Sequence, residues 1–215
     1  MNASGGAPLA IEVYADIWCP FAHVGLRLVD EQRRRHRPDI DLIVHAWPLE
    51  LVNGAAMDPA GARRHANELR EEVAPRMFAH LDADHFPTST LEALALVARA
   101  SRDGTGSGAR ASFAVRDALF EHGQDISDPA VLAGLAAELG VDMPDDADRQ
   151  TVLDDWHTGQ RRGVLGSPHF FAGDANVFCP SLAVTKDASG TLSIATDRAK
   201  LDAFLQRCFE EPVAS

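Results

Sequence analysis

This 215-residue chain contains three cysteines, Cys19, Cys179 and Cys208. Cys19 stands in the setting best suited to chemistry. A thiolate is the nucleophilic form of cysteine, and it is favoured at a helix N-terminus, where unpaired backbone N–H groups and the helix dipole stabilise negative charge. Pro20 follows directly, and proline suits the first helical position because its missing N–H leaves nothing unpaired there. His23 lies four residues on from Cys19, so one helix face can carry both. That imidazole has two readings: it takes the thiol proton or supports the thiolate as a cation, or it is a partly exposed histidine filling an aromatic position. Cys19 has a plainer reading too, as a small buried hydrophobe. There is no C-x-x-C and no paired zinc-ligand spacing. Cys19, His23, His169 and Cys179 offer ligand types that suit zinc, but not at finger spacing, so no metal is expected.

The elements that must position Cys19 follow from periodicity. Ala10 to Asp16 reads as a first strand and Pro20 opens a helix. Phe21, Val24, Leu28 and Val29 mark its buried face, and Pro38 ends it. Arg33, Arg34 and Arg35 fall in the last turn, where positive charge suits the dipole. Asp41 to Trp47 is nearly continuous in apolar residues, which predicts a central strand. From about Met57 to Arg162 almost every segment looks helical. Ser89 and Glu92 form a capping-box pattern, Gly104 to Gly108 breaks two helices apart, and Asp128-Pro129 starts a helix that Gly140 stops. The carboxylates Asp142, Asp145, Asp146 and Asp148 read as a solvated loop and helix start, and His45, Trp47 and Trp156 as packing residues.

Strand character returns at His169-Phe170-Phe171, with a turn at Gly173-Asp174 and a return arm at Asn176-Val177-Phe178. This register pairs Pro168 with Cys179, at the end of the hairpin where the Ser167-Pro168 loop enters. Cys179 is therefore either a buried strand cysteine or a resolving thiol for Cys19. Thr191 to Ala195 reads as a short edge strand. Asp197 to Phe209 reads as a closing helix with Leu201, Phe204, Leu205 and Cys208 on its apolar side, which makes Cys208 a core residue. The order is strand, helix, strand, helical insertion, hairpin, helix: an α/β arrangement in which residues 57–162 form an inserted helical domain within a domain made of 1–56 and 163–215.

Composition narrows the partners. Lys and Arg total 20 against 32 Asp and Glu, a formal charge of −12. Such a chain repels phosphate and anionic lipid, so neither nucleic acid nor membrane is expected as a partner. No apolar run reaches a bilayer-spanning length, and the segment Met1 to Pro8 is polar without a basic residue, unlike a secretory leader. A cytoplasmic setting, with thiols kept reduced, is expected. Arginine far exceeds lysine and alanine is abundant, which suggests a GC-rich bacterial genome.

Two motifs carry a resemblance. Asp16-Ile17-Trp18-Cys19-Pro20-Phe21-Ala22-His23-Val24-Gly25 follows the first strand, and Gly163-Val164-Leu165-Gly166-Ser167-Pro168-His169-Phe170-Phe171 enters the hairpin. Weaker echoes lie at Trp47-Pro48-Leu49-Glu50-Leu51 and Asp125-Ile126-Ser127-Asp128. Together they resemble the DsbA-like branch of the thioredoxin superfamily: FrnE-type oxidoreductases, 2-hydroxychromene-2-carboxylate isomerases and kappa-class glutathione transferases. The resemblance implies a thioredoxin fold with a helical insertion and a cis peptide bond before Pro168. It implies that the backbone of Ser167 is offered to a bound peptide or thiol compound. It places Cys19 as the catalytic thiol, with Trp18, Pro20, Phe21, Ser167, Pro168 and His169 around the substrate; His169 also has the plainer reading of a strand histidine with no role. His23 is the candidate catalytic partner of Cys19 by spacing alone.

FrnE-type enzymes carry Cys-Pro-x-Cys, and Ala22 occupies the second cysteine position here. Ala22 cannot resolve a mixed disulfide. The resemblance therefore leaves three functions: a thiol-disulfide oxidoreductase working through one thiol, a glutathione- or other thiol-dependent isomerase or transferase, and a non-catalytic peptide-binding protein. The expected substrate is a disulfide or a small electrophile. The expected cofactor is none tightly bound, with glutathione or another low-molecular-weight thiol as exchangeable partner. Kappa-like relatives also suggest a homodimer.

Overall fold

The computed structural model describes residues 10–82, 84–104, 106–180, 182–186 and 192–209. Strand β1 (Ala10–Ala15) leads through Asp16–Cys19 into helix α1 (Pro20–His36) and back to β2 (Asp41–Ala46). β2 runs parallel to β1, with Ala10 opposite Asp41 and Ala15 opposite Ala46. Six helices follow: α2 (Leu49–Asn53), α3 (Pro59–Glu72), α4 (Leu91–Ser101), α5 (Ser107–Phe120), α6 (Pro129–Leu139) and α7 (Asp146–Arg162). The hairpin β3 (His169–Ala172) and β4 (Ala175–Phe178) then returns to the sheet. β3 lies antiparallel to β1, giving the order β2-β1-β3-β4.

β2 is thus an edge strand and not the central one its apolar run predicted. Helices α4, α5 and α7 pack against it, burying Leu42 and Ala46 while Ile43 stays 38% exposed, and the Asp155 carboxylate of α7 accepts the Ala46 N–H at 2.9 Å. An edge amide buried under a helix needs such an acceptor. The segment expected as an edge strand also differs. It forms β6 (Leu192–Thr196), paired with β5 (Leu182–Lys186) in a separate two-stranded sheet; Thr191 lies outside the described residues. Helix α8 (Arg198–Phe209) closes the chain.

Alternation along β1 decides what each face touches. Ile11, Val13 and Ala15 are fully buried in a core shared with α1 and α8, including Leu26, Val29, Phe170, Phe204 and Cys208. Glu12 and Tyr14 point the other way, towards α7, where Tyr14, Trp47 and Phe171 pack together. A second large core fills the helical block with Leu94, Leu96, Val115, Leu119 and Phe120, and reaches Ile17, Trp18 and Cys179.

Local signals explain most helix ends. The Asp128 carboxylate caps α6, which Gly140 terminates at φ 73°. Asp145 and Asp148 form a reciprocal capping box at α7. The box expected from Ser89 and Glu92 does not form. Helix α4 starts after Thr90 without a side-chain cap, and Ser89 Oγ donates instead to Glu50 at 2.9 Å. Val73 to Asp82 and Asp84 to Thr90 are loop and turn, an interruption of the run of helices expected from Met57 to Arg162. No helix among the described residues is long and apolar enough to cross a membrane.

Candidate active site

Cys19 is the N-cap residue of α1, with Pro20 in the first helical turn and the His23 N–H bonded to the Cys19 carbonyl at 3.1 Å. The loop before β3 meets it. The Ser167–Pro168 peptide bond is cis, and the Cys19 thiol donates to the Ser167 carbonyl at 3.1 Å. Ser167 Oγ accepts the Asp16 N–H at 2.9 Å, so one residue ties this loop to both ends of the Asp16–Cys19 turn. The other side of the loop is fixed by the hairpin: the Cys179 N–H donates to the Pro168 carbonyl at 2.9 Å. That bond continues a register in which His169 faces Phe178, the pairing expected from the turn position.

Electrostatics at the thiol differ from the expectation. Cys19 is only 4% exposed. Burial pushes its thiol up, and the opposing influences of Ser167, the Ala22 amide and Arg116 do not prevail. A helix N-terminus lowers a thiol pKa by favouring the anion, whereas removal from water penalises the same anion. Here the second effect wins, and the resting group is a protonated thiol bonded to a carbonyl.

His23 does not face the thiol. Its ring is fully buried between Phe78 and Phe120, with centroids 5.2 and 4.7 Å away, and Nε2 meets Glu121 Oε1 at 2.8 Å. Nδ1 has no hydrogen-bond partner among the described residues, so no hydrogen bond joins the ring to Cys19. Burial holds the imidazole below its ordinary range. A neutral ring donating from Nε2 suits Glu121. That carboxyl is also burdened by burial, but the His23 bond and the N–H groups of Phe78 and Ala79 carry it down to about 2. His23 therefore anchors α1 to the helical block, and the expected catalytic pairing with Cys19 is not formed. His23, Asp117 and Glu121 bring ligand-type atoms within 4.8 Å of one another. Arg27 already pairs with Asp117, and Glu121 is bonded as described.

The residues expected around a substrate separate into two groups. Pro20 and Ser167 are buried at the thiol, and half-buried Phe21 leans on His65 of α3 at 5.5 Å. Trp18 is fully buried and stacks on Phe86 at 6.0 Å, so it is a core residue and lines no cleft. His169 is 2% exposed. It accepts the Leu165 N–H at Nδ1 and meets Asn176 Oδ1 at Nε2, stacking on Phe171 at 4.6 Å. Both ring nitrogens are thus committed to holding the loop, which removes His169 from any substrate or metal role. Cys179 is buried at φ 47°, a left-handed conformation uncommon for a residue with a Cβ. Burial pushes its thiol up to about 12, and the Cys19 charge adds to that. Cys208 is fully buried in α8, as its spacing implied.

Two residues emerge that the sequence reading assigned no role. Asp16 is fully buried and accepts the Leu49 N–H. Burial pushes its carboxyl up to about 6 despite that bond. Arg116 of α5 is fully buried as well, donating to the Ile17 carbonyl at 3.1 Å and to Ser112 Oγ at 3.2 Å. A sequence signal existed: Arg116 lies on the apolar face of α5 defined by Ser112, Val115 and Leu119, where a charge demands a partner.

No curated protein sequence matches this chain. Among solved structures, it resembles a probable DsbA oxidoreductase from Streptomyces coelicolor at TM-score 0.67 and 17% identity, covering 96% of this chain and 93% of that one. The cytosolic disulfide reductase DsbM from Pseudomonas aeruginosa gives TM-score 0.58 and 16% identity, covering 93% and 98%. A 2-hydroxychromene-2-carboxylate isomerase gives TM-score 0.61 and 13% identity, covering 79% and 88%. At these identities the likeness speaks to the fold. The sequence model of the DSBA-like thioredoxin domain matches residues 10–193, and the chain belongs to that family.

Proposed function

We propose that this protein is a thiol-disulfide oxidoreductase that works in the cytoplasm through one reacting thiol, Cys19. The observation that supports this reading most is the 3.1 Å contact between Cys19 Sγ and the Ser167 carbonyl of the cis-proline loop. It puts the sulfur beside main chain that an extended substrate or a small thiol compound can pair with. A main-chain N–H of a bound substrate takes over that carbonyl, and the Cys19 thiol gives up its proton to water.

The Cys19 thiolate then attacks one sulfur of the substrate disulfide. A mixed disulfide with Cys19 forms and the other sulfur leaves as a thiolate. Glutathione, or another low-molecular-weight thiol, attacks the Cys19 sulfur as its thiolate and releases the reduced substrate. A second equivalent regenerates Cys19 and leaves as the oxidised dimer. External thiol fills the role of resolver because Ala22, fully buried, stands where an internal one would be. Cys179 is the alternative internal resolver, placed by its bond to Pro168. Its thiol, pushed up to about 12, makes it the poorer nucleophile. DsbM, a structural neighbour, has also been solved with GSH.

A second reading, a thiol-dependent isomerase or transferase, is favoured by the same single-thiol geometry, since such chemistry needs no resolving cysteine. Glutathione-coupled reduction of hydroxyethyl disulfide separates the two. Turnover is expected in the wild type and in Cys179→Ser, falling to the uncatalysed background in Cys19→Ser. Turnover that persists in Cys19→Ser overturns the assignment of the thiol. Absence of turnover in the wild type, with saturable glutathione binding, transfers the function to the isomerase or transferase class.

A further inference from the structure

The fully buried guanidinium of Arg116 is held by a carbonyl and a hydroxyl, with no carboxylate within salt-bridge distance and Nη2 lacking a partner among the described residues. A buried cation paired in this way is costly unless an anion forms nearby. We propose that Arg116 is the positioning residue that supports the negative charge of Cys19 when the thiol ionises, and that the helical block thereby sets the reactivity of the sulfur.

Several features converge on this assignment. Nη1 bonds the carbonyl of Ile17, two residues before Cys19, so the guanidinium is fixed to the turn that carries the sulfur. Of the charges that act on Arg116, Cys19 is the strongest attraction and Asp16 the next. Burial lowers Arg116 to about 10, still well above neutrality, so the guanidinium stays charged. Asp16 acts on Cys19 in the opposite sense, disfavouring the thiolate. Other titratable groups stand around Arg116: the buried His23 ring of α1, bonded to Glu121, is held below its ordinary range chiefly by burial, with Arg27 and Arg116 adding to that. Arg27 of α1 and Asp117 of α5 act on Arg116 with opposite signs, and on the hairpin side Lys200 of α8 bonds the Cys179 carbonyl at 3.2 Å. Beyond burial and the larger support of the Ser167 and Ala22 bonds, the Cys19 charge thus lies between one buried cation from α5 and one buried carboxyl from the end of β1.

The inference rests on Cys19 being the reacting thiol, but its test reads ionisation and not turnover, so either can fail alone. The rate of iodoacetamide alkylation is followed on the Cys19 peptide by mass spectrometry as a function of pH, in the full-length chain. Arg116→Gln is expected to move the profile to higher pH by at least a unit, slowing alkylation at pH 7 about tenfold. Arg116→Lys, which keeps the charge, is expected to recover most of that rate. Asp16→Asn is expected to move the profile the other way. A folded Arg116→Gln variant with an unshifted profile overturns the proposal. Should that variant fail to fold, Asp16→Asn/Arg116→Gln removes both buried charges together and is compared with Asp16→Asn alone; coincident profiles overturn the proposal, and a profile higher in the double variant supports it.

Discussion

Strand β1 serves two polar clusters built on opposite terms. Near its start, Glu12 meets His45 Nε2 at 2.9 Å and Arg162 at 2.7 Å, while His45 Nδ1 meets Asp155 at 2.9 Å. Tyr14 stacks on His45, and Arg162 lies over the Phe171 ring at 4.2 Å. Both imidazole nitrogens are bonded to carboxylates. Burial alone would hold His45 down, but Asp155 and Glu12 outweigh it and carry the ring to about 9, while the His45 bond leads in holding Glu12 at about 2. At the other end of the strand, Asp16 Oδ1, Trp18 Nε1, His23 Nδ1 and Arg116 Nη2 are all buried without hydrogen-bond partners among the described residues. The Trp47 and Trp156 ring N–H groups beside the first cluster also lack partners among the described residues. Its charged groups, however, are all paired, which locks one arrangement, whereas the unpaired guanidinium of the second is costly until an anion forms beside it. The first cluster secures the sheet to α7; the second awaits a charge.

Substitution is expected to separate the two ends cleanly. The largest effect belongs to Cys19→Ser, which takes disulfide reduction to background while leaving the melting temperature within a few degrees of wild type; a collapse of stability would mean the sulfur is chiefly a packing atom. Next is His45→Gln, which takes the cationic partner from Asp155 and leaves Glu12 with Arg162 alone, and costs about 1–3 kcal/mol in urea unfolding, with Cys19 alkylation unchanged. Loss of thiol reactivity in that variant would show the clusters to be coupled.

The His45 cluster also carries a pH signature. Because the ring's folded pKa of about 9 lies above its ordinary 6.5, the contribution is fully present below pH 6.5 and disappears as pH rises through 9. Wild-type stability is expected to fall by about 2 kcal/mol more than that of His45→Gln between pH 7 and 9, and parallel curves would contradict the assignment. The smallest effect concerns packing beside the same cluster. A Cβ at Gly159 in α7 would lie 2.5 Å from Trp47 Cζ3 and 3.0 Å from Tyr14 Cδ1. Gly159→Ala is expected to cost about 1–2 kcal/mol, because overpacking outweighs the gain in helix propensity. A stabilised variant would mean that Trp47 yields.

Much of the frame was readable from local pattern. The bounds of β1, α1 and α6, the hairpin register that joins Cys179 to Pro168, and the core position of Cys208 each rest on a short-range signal: a proline, a cap, a two-residue turn, a helical period. Where long-range contact competes with such a signal, the local reading fails. Ser89 forsakes its capping box for Glu50, β2 reads as central because helices pack against it and bury Leu42 and Ala46, and Leu192 to Thr196 pairs with a strand, β5, that lacked a clear alternation.

The sequence by itself determined that Cys19 begins a helix and that Cys179 pairs with Pro168, because proline geometry and hairpin register are fixed by neighbours along the chain. That the Ser167-Pro168 loop returns beside Cys19 was implied by the family resemblance. Only the tertiary structure decided what that sulfur feels. Burial overrides the helix terminus, since desolvation depends on every atom that excludes water. His23 turns to Glu121, 98 positions away, and Arg116 reaches Ile17 across 99. Charge acts through space, and the groups that govern this thiol come from helices whose packing no local period encodes.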